Sequence, residues 1–262
     1  MRFRHFYRAR HLDKLRVYMD SVTTRIRDAM QTVSRLRGSR SADPLLEQAA
    51  LGVKRFQAQR FKATYADLLR DPRYRRAAEF FLHELYGEKD YAQRDQQFSR
   101  IAGTIPRLFP TTVAETAAAL AEVHALTEQL DDQMAHKWLA STPHAEARRY
   151  IDSWRKVGDR AARQQQLQVV LQLGRELDRM TRMRGLRSLL KMMRGAAAAA
   201  GLSSLQAFLE AGFDAFAEMK GSAEFLALIE KREAAWIDAL FEGDAVACET
   251  KLNLLLGDSV PH

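Results

Sequence analysis

Apolar residues recur every three or four positions through most of the first forty residues of the chain. The run comprises Leu12, Leu15, Met19, Val22, Ile26, Ala29, Val33 and Leu36. These are the a and d positions of a heptad repeat, so they form one narrow apolar stripe along a helix and predict packing like that of a coiled coil. We call Leu12, Leu15, Met19, Val22, Ile26 and Val33 the N-terminal seam. We expect it to be buried, either by the following helix or by a second chain.

Helical periodicity continues along the rest of the chain, and few residues interrupt it. The 262 residues include only 6 Pro and 13 Gly. Asp43-Pro44 and Asp71-Pro72 each combine an N-cap residue with proline at the first helical position, which is a strong helix-start signal. The sequence therefore predicts an all-α, multi-helix bundle of about ten helices. We expect residues 1–70 to form a long basic helical hairpin and residues 71–262 to form a bundle domain.

The basic residues are unevenly placed along a chain whose formal net charge is +8. Residues 1–40 hold eleven Lys or Arg and three Asp, and a second basic block covers residues 148–194. Such segments favour an anionic partner, which is nucleic acid, a lipid surface or the acidic face of another protein. They are also typical of helix surfaces whose arginines are simply solvated. Because neither segment carries a motif that reads base edges, we expect any binding to nucleic acid or anionic membrane to be weak.

The pattern of apolar residues and cysteine predicts a cytoplasmic protein. No uncharged run reaches the length of about 18 residues that a membrane-spanning helix needs. The opening residues MRFRHFYRARH place arginines where a secretory signal has an apolar segment. Cys248 is a single cysteine and cannot form an internal disulfide bond. Phosphate-binding loops and HExxH or GxSxG motifs are missing from the sequence, which favours a non-enzymatic role and leaves any cofactor unknown.

One segment has a distinctive order of aromatic, glycine and charged residues. Residues 80–95 follow the pattern FFLxxLYGxxDxxxRD. This pattern resembles that of an uncharacterised family of bacterial all-helical proteins. The stretch from Glu122 to Asp131 and the segment from Phe225 to Glu233 are also similar to that family. The resemblance implies an all-helical fold and a bacterial source, and it implies no activity.

Three polar residues lie together on the edge of the helix predicted to begin near Thr112. His124, Glu128 and Asp131 are spaced by four and three residues, which places an imidazole and two carboxyl groups on adjacent helical turns. These groups can help to bind a divalent metal or a small ligand if another helix supplies further contacts. The candidate contributors are Tyr86, Asp90 and Arg94. The alternative is that the same side chains form hydrogen bonds and ion pairs between helices.

Three classes of function are consistent with the sequence. The first, which we favour, is a protein-interaction or scaffold module that self-associates or binds a protein partner through helical surfaces of the N-terminal hairpin, with the N-terminal seam as the interaction surface. The second is a helical bundle that binds a small ligand or metal, and it depends on His124, Glu128 and Asp131. The third is a binder of nucleic acid or anionic membrane that uses the arginines of residues 1–40.

Overall fold

A computed structural model describes the backbone of residues 2–84, 91–141 and 145–257, and the side chains from residue 13 onward. Its regular structure is entirely α-helical within these ranges, which confirms the all-α prediction. The described part of the chain contains fourteen helices, rather than about ten. They are α1 (Arg2–Ser41), α2 (Pro44–Thr64), α3 (Ala66–Arg70), α4 (Arg75–Glu84), α5 (Ala92–Ile101), α6 (Ile105–Leu108), α7 (Thr111–Leu139), α8 (Glu146–Val157), α9 (Arg160–Thr181), α10 (Leu186–Met192), α11 (Arg194–Ala199), α12 (Ser203–Glu218), α13 (Ala223–Glu242) and α14 (Ala245–Gly257).

A local sequence signal explains where the second helix begins. Breaks between short helices account for a helix number above the predicted ten. The Asp43 carboxylate accepts hydrogen bonds from the backbone N–H groups of Leu45 and Leu46, as an N-cap residue does, and Pro44 follows it. Tyr65 departs from helical geometry and separates α2 from α3. Four of the fourteen helices, α3, α6, α10 and α11, have seven residues or fewer.

The central element of the bundle is α7, a helix of 29 residues that packs against α1, α2, α8 and α9. Its face toward α1 consists of small residues, and Ala114, Ala118, Ala121 and Ala125 are all buried in the same cluster as the α1 side chains. Small side chains allow two helix backbones to approach closely. Because α1 and α2 both pack on α7, the predicted N-terminal hairpin is built into the bundle.

The N-terminal seam lies partly in the core of its own chain. Val22 and Ile26 are 0% exposed and Val33 is 1% exposed, packed among the α7 alanines and Phe98 of α5. We expected this seam to be covered either by the helix over residues 44–69 or by a second chain, but α7 and α5 cover this part of it. Val22, Ile26 and Val33 are therefore packed against helices of their own chain.

The N-terminal part of the seam differs from the part that is buried. Met19 is half-buried and Leu15 is 44% exposed. The side chain of Leu12 lies outside the described residues. The burial of the seam thus begins near Val22, where α1 first meets the buried part of α7.

The bundle has three apolar clusters instead of one continuous core. The first joins α2, α7, α8, α13 and α14, and the second joins α1, α5, α6, α7 and α12. The third joins α2, α3, α4, α9, α12 and α13. Trp154, Phe98 and Phe81 are members of the first, second and third clusters. A layer of polar side chains lies where the three clusters meet. Within the described residues, no helix is long and apolar enough to cross a membrane.

Candidate functional site

His124, Glu128 and Asp131 all lie on α7, and each contacts a different partner. His124 Nε2 is 2.9 Å from Asp95 Oδ2 on α5. Glu128 accepts hydrogen bonds from Arg40 and Lys54, and Asp131 accepts one from Gln57. The structure thus places the three side chains in one polar layer, but it does not direct them at a common point. Among the residues that the structure describes, no three His, Cys, Asp or Glu side chains are grouped so that they could hold a metal ion.

Glu128 is a buried carboxylate held between two cations. Lys54 Nζ donates to Glu128 Oε1 over 2.7 Å, and Arg40 Nη2 donates to Oε2. Burial opposes ionisation of this carboxyl group, but the charges and hydrogen bonds of Lys54 and Arg40 outweigh burial and hold its pKa at about 2. Glu128 is therefore ionised at neutral pH and links α1 and α2 to α7.

Asp95 is the centre of a second charged group. Besides His124, it contacts Arg37 at 2.8 Å and Arg94 at 3.5 Å. Burial works against its ionisation, but His124 and the two arginines lower its pKa below the ordinary value. Arg94 was one of the predicted contributors, and its guanidinium carbon lies 4.1 Å from the centre of the Tyr91 ring. The other two predicted contributors, Tyr86 and Asp90, lie outside the described residues.

The pKa of Asp131 is shifted in the opposite direction to that of Glu128, although the two residues lie one turn apart on α7. Its Oδ1 accepts a hydrogen bond of 3.1 Å from Gln57 Nε2. Among the described residues, no cationic side chain lies within ion-pair distance of Asp131. Burial therefore dominates and raises its pKa, with partial compensation from the more distant charges of Lys54 and Arg163.

These polar side chains line a cavity inside the bundle. The cavity has a volume of about 120 Å³, and side chains from nine of the described helices form its wall. The wall includes apolar members of all three clusters, among them Met30, Phe81, Ile229 and Ile237. Its volume is close to that of an engineered protein cavity, about 150 Å³, that admits benzene. The space is thus suited to a molecule of about the size of one ring.

Tyr150 and Trp154 line the cavity from α8, one helical turn apart. Tyr150 is 0% exposed and Trp154 is 6% exposed. Neither the Tyr150 hydroxyl nor the Trp154 indole nitrogen has a hydrogen-bond partner among the described residues, and both atoms are buried. The guanidinium of Arg163 lies 4.2 Å from the centre of the Trp154 ring. Burial raises the pKa of Tyr150, so its hydroxyl keeps its proton and can donate a hydrogen bond.

The remaining buried charges of the wall are paired. Arg60 Nη2 and Nη1 donate to the two oxygens of Glu233 over 2.8 and 3.2 Å. The Tyr65 hydroxyl also donates to Glu233, over 2.9 Å. Arg94 contacts Glu84 at 3.3 Å. The Lys and Arg side chains of the wall are Lys54, Arg60, Arg94 and Arg163, and its Asp and Glu side chains are Glu84, Asp95, Glu128, Asp131 and Glu233.

Sequence reasoning did not include the α2 and α8 members of this site. Lys54, Gln57 and Arg60 recur every three residues, next to the buried side chains of Val53, Phe56 and Phe61. Polar residues at that spacing inside an apolar face are a usable signal, because they place three polar groups along one side of a buried helix. Tyr150 and Trp154 resemble ordinary core aromatics in the sequence, and only the structure shows their unpartnered polar atoms.

Several described arginines of the basic segments contact carboxylates of the same chain. Arg25 donates to both Glu115 and Glu122 of α7 over 2.7 Å. In the second basic block, Arg160 contacts Asp238 and Glu242 of α13. Part of the positive charge on residues 13–40 and 148–194 therefore serves contacts between helices.

Comparison with known proteins identifies a family for this fold. Residues 36–247 match the model of the family described as Domain of unknown function (DUF8198), so the chain belongs to this family. This match confirms the resemblance to an uncharacterised family. Searches of curated proteins and of solved structures gave no match to this chain.

Proposed function

We propose that this DUF8198 protein is a helical bundle that binds a small organic molecule in the cavity between its three apolar clusters. The observation that carries the proposal is the pair of buried polar groups, the Tyr150 hydroxyl and the Trp154 indole N–H, that lack a partner among the described residues. Leaving a buried donor without a hydrogen bond costs about 1–3 kcal/mol. A ligand that accepts hydrogen bonds from these groups would offset that cost.

The composition of the cavity wall also supports ligand binding. Small-molecule sites in proteins are mostly apolar and contain a few fixed polar groups that orient the ligand. Here Phe61, Leu167 and Val170 provide apolar surface, and Gln57 and Tyr150 provide polar groups. Helix bundles place such sites between helices that face one another, as α2, α7 and α8 do in this protein.

The burial of the seam removes the main support for a scaffold role through that surface. A partner that bound Val22, Ile26 or Val33 would have to displace α7, because these side chains are packed against its alanines. Binding of a metal ion at this site is not supported, because the described residues include no group of three His, Cys, Asp or Glu side chains that could hold one. We therefore favour an organic ligand over a metal ion and over a partner helix at the seam.

Native mass spectrometry of gently purified protein tests the proposal directly. We expect a retained small molecule, and we expect Val170→Phe to abolish its retention because the larger side chain occupies the cavity that Val170 lines. Val246→Phe is the matched control, since Val246 is 65% exposed and lies outside the cavity wall. Retention in Val246→Phe but not in Val170→Phe supports the site.

A panel of small molecules in thermal melts extends the test to protein purified without ligand. A molecule that binds the native state raises the melting temperature by mass action. Absence of a retained mass, together with no stabilising molecule for the parent protein, would overturn the proposed function. Equal retention by the two valine variants would show that a ligand binds elsewhere, and it would overturn the proposed site.

A further inference from the structure

We infer that the ligand of this cavity is an uncharged molecule of about ring size that presents a carbonyl-type oxygen to Tyr150 and Trp154. This inference rests on the proposed function and specifies the chemical class of the ligand. Three observations carry it: the type of the unpartnered groups, the charge balance of the wall, and the distribution of its apolar surface.

The two unpartnered groups on α8, the Tyr150 hydroxyl and the Trp154 indole N–H, are hydrogen-bond donors, so a complementary ligand must supply an acceptor. An indole nitrogen can only donate a hydrogen bond, and a protonated tyrosine hydroxyl can donate one. The ring centres of Tyr150 and Trp154 are 5.7 Å apart, and both side chains line the cavity. A carbonyl oxygen has two lone pairs and can accept from both donors at once.

The charges of the wall are already matched, which disfavours a charged ligand. Lys54 is paired with Glu128, Arg60 with Glu233, and Arg94 with Glu84. Arg37 and Arg40, which do not line the cavity, also contact its carboxylates Asp95 and Glu128. A carboxylate ligand would add a further buried negative charge beside Asp131 and Glu233. Because burying an uncompensated charge is costly, the site favours a neutral molecule.

The apolar part of the wall favours a compact hydrocarbon body attached to that oxygen. Phe61, Phe81, Leu167, Val170 and Ile229 lie on α2, α4, α9 and α13 and line the cavity together. They belong to the third apolar cluster or pack against it, whereas Tyr150 and Trp154 belong to the first. The cavity thus has an apolar side and a side with hydrogen-bond donors, which matches a molecule with one polar end.

Three ring-sized probes separate the alternatives: benzamide, benzoate and toluene. Benzamide is neutral and has a carbonyl oxygen, benzoate has the oxygens but adds a charge, and toluene has neither. We expect benzamide to bind at least about ten-fold more tightly than the other two, which is the scale of one buried hydrogen bond. Dissociation constants come from ligand-detected NMR titration at neutral pH, and thermal melts provide a second readout.

Variants then connect the preference to the two donors. Tyr150→Phe and Trp154→Phe each keep an aromatic ring and remove a hydrogen-bond donor. Each should weaken benzamide binding about ten-fold and leave toluene binding within about two-fold of the parent value. Trp138→Phe is the matched control, because Trp138 is a buried tryptophan of the first cluster that does not line the cavity. Circular dichroism verifies that each variant folds, and each donor variant reports independently of the other.

The outcomes distinguish failure of the ligand class from failure of the proposed function. Tighter binding of benzoate, or equal binding of benzamide and toluene, would overturn the inference about ligand class and leave a ligand-binding cavity in place. Equal loss of benzamide and toluene binding in both donor variants would also overturn that inference. If none of the three probes binds and no small molecule is retained by the purified protein, both the inference and the proposed function fail.

Discussion

Glu128 and Asp131 provide a sharp test of the electrostatics of the cavity wall. They lie one turn apart on α7, both are buried, and their pKa values are shifted in opposite directions. The amide substitutions Glu128→Gln and Asp131→Asn remove one carboxylate each with little change of shape. We expect the first to destabilise the protein strongly and the second to leave its stability unchanged or slightly higher.

The expected loss for Glu128→Gln follows from the pKa of the carboxyl group. That pKa is about 2 in the folded protein, against an ordinary value of 4.5 for a glutamate carboxyl group. Since one pKa unit corresponds to about 1.4 kcal/mol, the ionised group contributes about 3 kcal/mol of stability at neutral pH. Gln leaves Arg40 and Lys54 without this counter-charge, so we expect a loss of about 3 kcal/mol. A protein of this size would melt about 6–12 °C lower.

Asp131→Asn should behave differently because burial dominates at that position. The folded environment raises the pKa of Asp131, so its ionised form is less favourable in the folded protein than in the unfolded chain. Asparagine keeps an oxygen that can accept the hydrogen bond from Gln57 Nε2. The substitution therefore removes a buried charge and preserves its contact.

The two carboxyl groups also predict opposite effects of pH. The stability from Glu128 is present above the unfolded pKa near 4.5 and is lost as pH falls toward about 2. Asp131 acts in the other sense, because stability decreases as pH rises through its raised folded pKa. Urea unfolding followed by circular dichroism over an acidic to neutral pH series measures both. A loss in Asp131→Asn equal to that in Glu128→Gln, or an unchanged acid dependence in Glu128→Gln, would refute this reasoning.

Two further substitutions test the fold. Val22→Asp places a charge in the core between α1 and α7 and should lower the free energy of unfolding by about 3 kcal/mol or more. Leu15→Asp is the control, because Leu15 lies at an exposed position and its substitution should change the melting temperature little. Similar melting curves for the two variants would show that α1 does not pack as described. Gly158→Ala should cost about 1–2 kcal/mol in urea unfolding, because Gly158 has a φ of 72° and alanine disfavours that left-handed conformation. An unchanged midpoint would contradict the left-handed cap of α8.

Periodicity and capping signals predicted the helices well, because both are local. The heptad spacing identified the face of α1 that is buried, and Asp43-Pro44 marked the start of α2. The same spacing could not identify what covers that face. The cover is the alanine-rich side of α7, which lies far from α1 in the sequence. Arg40 of α1 and Glu128 of α7, which form a hydrogen bond, are separated by 88 residues. A row of alanines offers little hydrophobic pattern, so its role becomes visible only when the helices are assembled.

The candidate site was predicted in part. The helical spacing correctly placed His124, Glu128 and Asp131 on one side of a helix, and the interhelical contacts that we considered as the alternative are the contacts these residues make. Asp95 belongs to the motif of residues 80–95 but was not chosen as a contributor, because nothing local indicates that it meets His124. Tyr150 was missed for a different reason, since an unpartnered hydroxyl is a property of the assembled core.

The charged layer around the cavity is not required for stability alone. Apolar residues of similar volume in place of a buried ion pair are often neutral or stabilising. The pairs Lys54–Glu128 and Arg60–Glu233 therefore bring little net stability that a continuous apolar core could not also provide. These pairs set the positions of helices, since they fix α2 against α7 and against α13. Their polar groups lie at the junction of the three clusters. An apolar core would close this junction, whereas the paired charges keep its wall in place beside Tyr150. This is the arrangement expected of a cavity that receives a ligand.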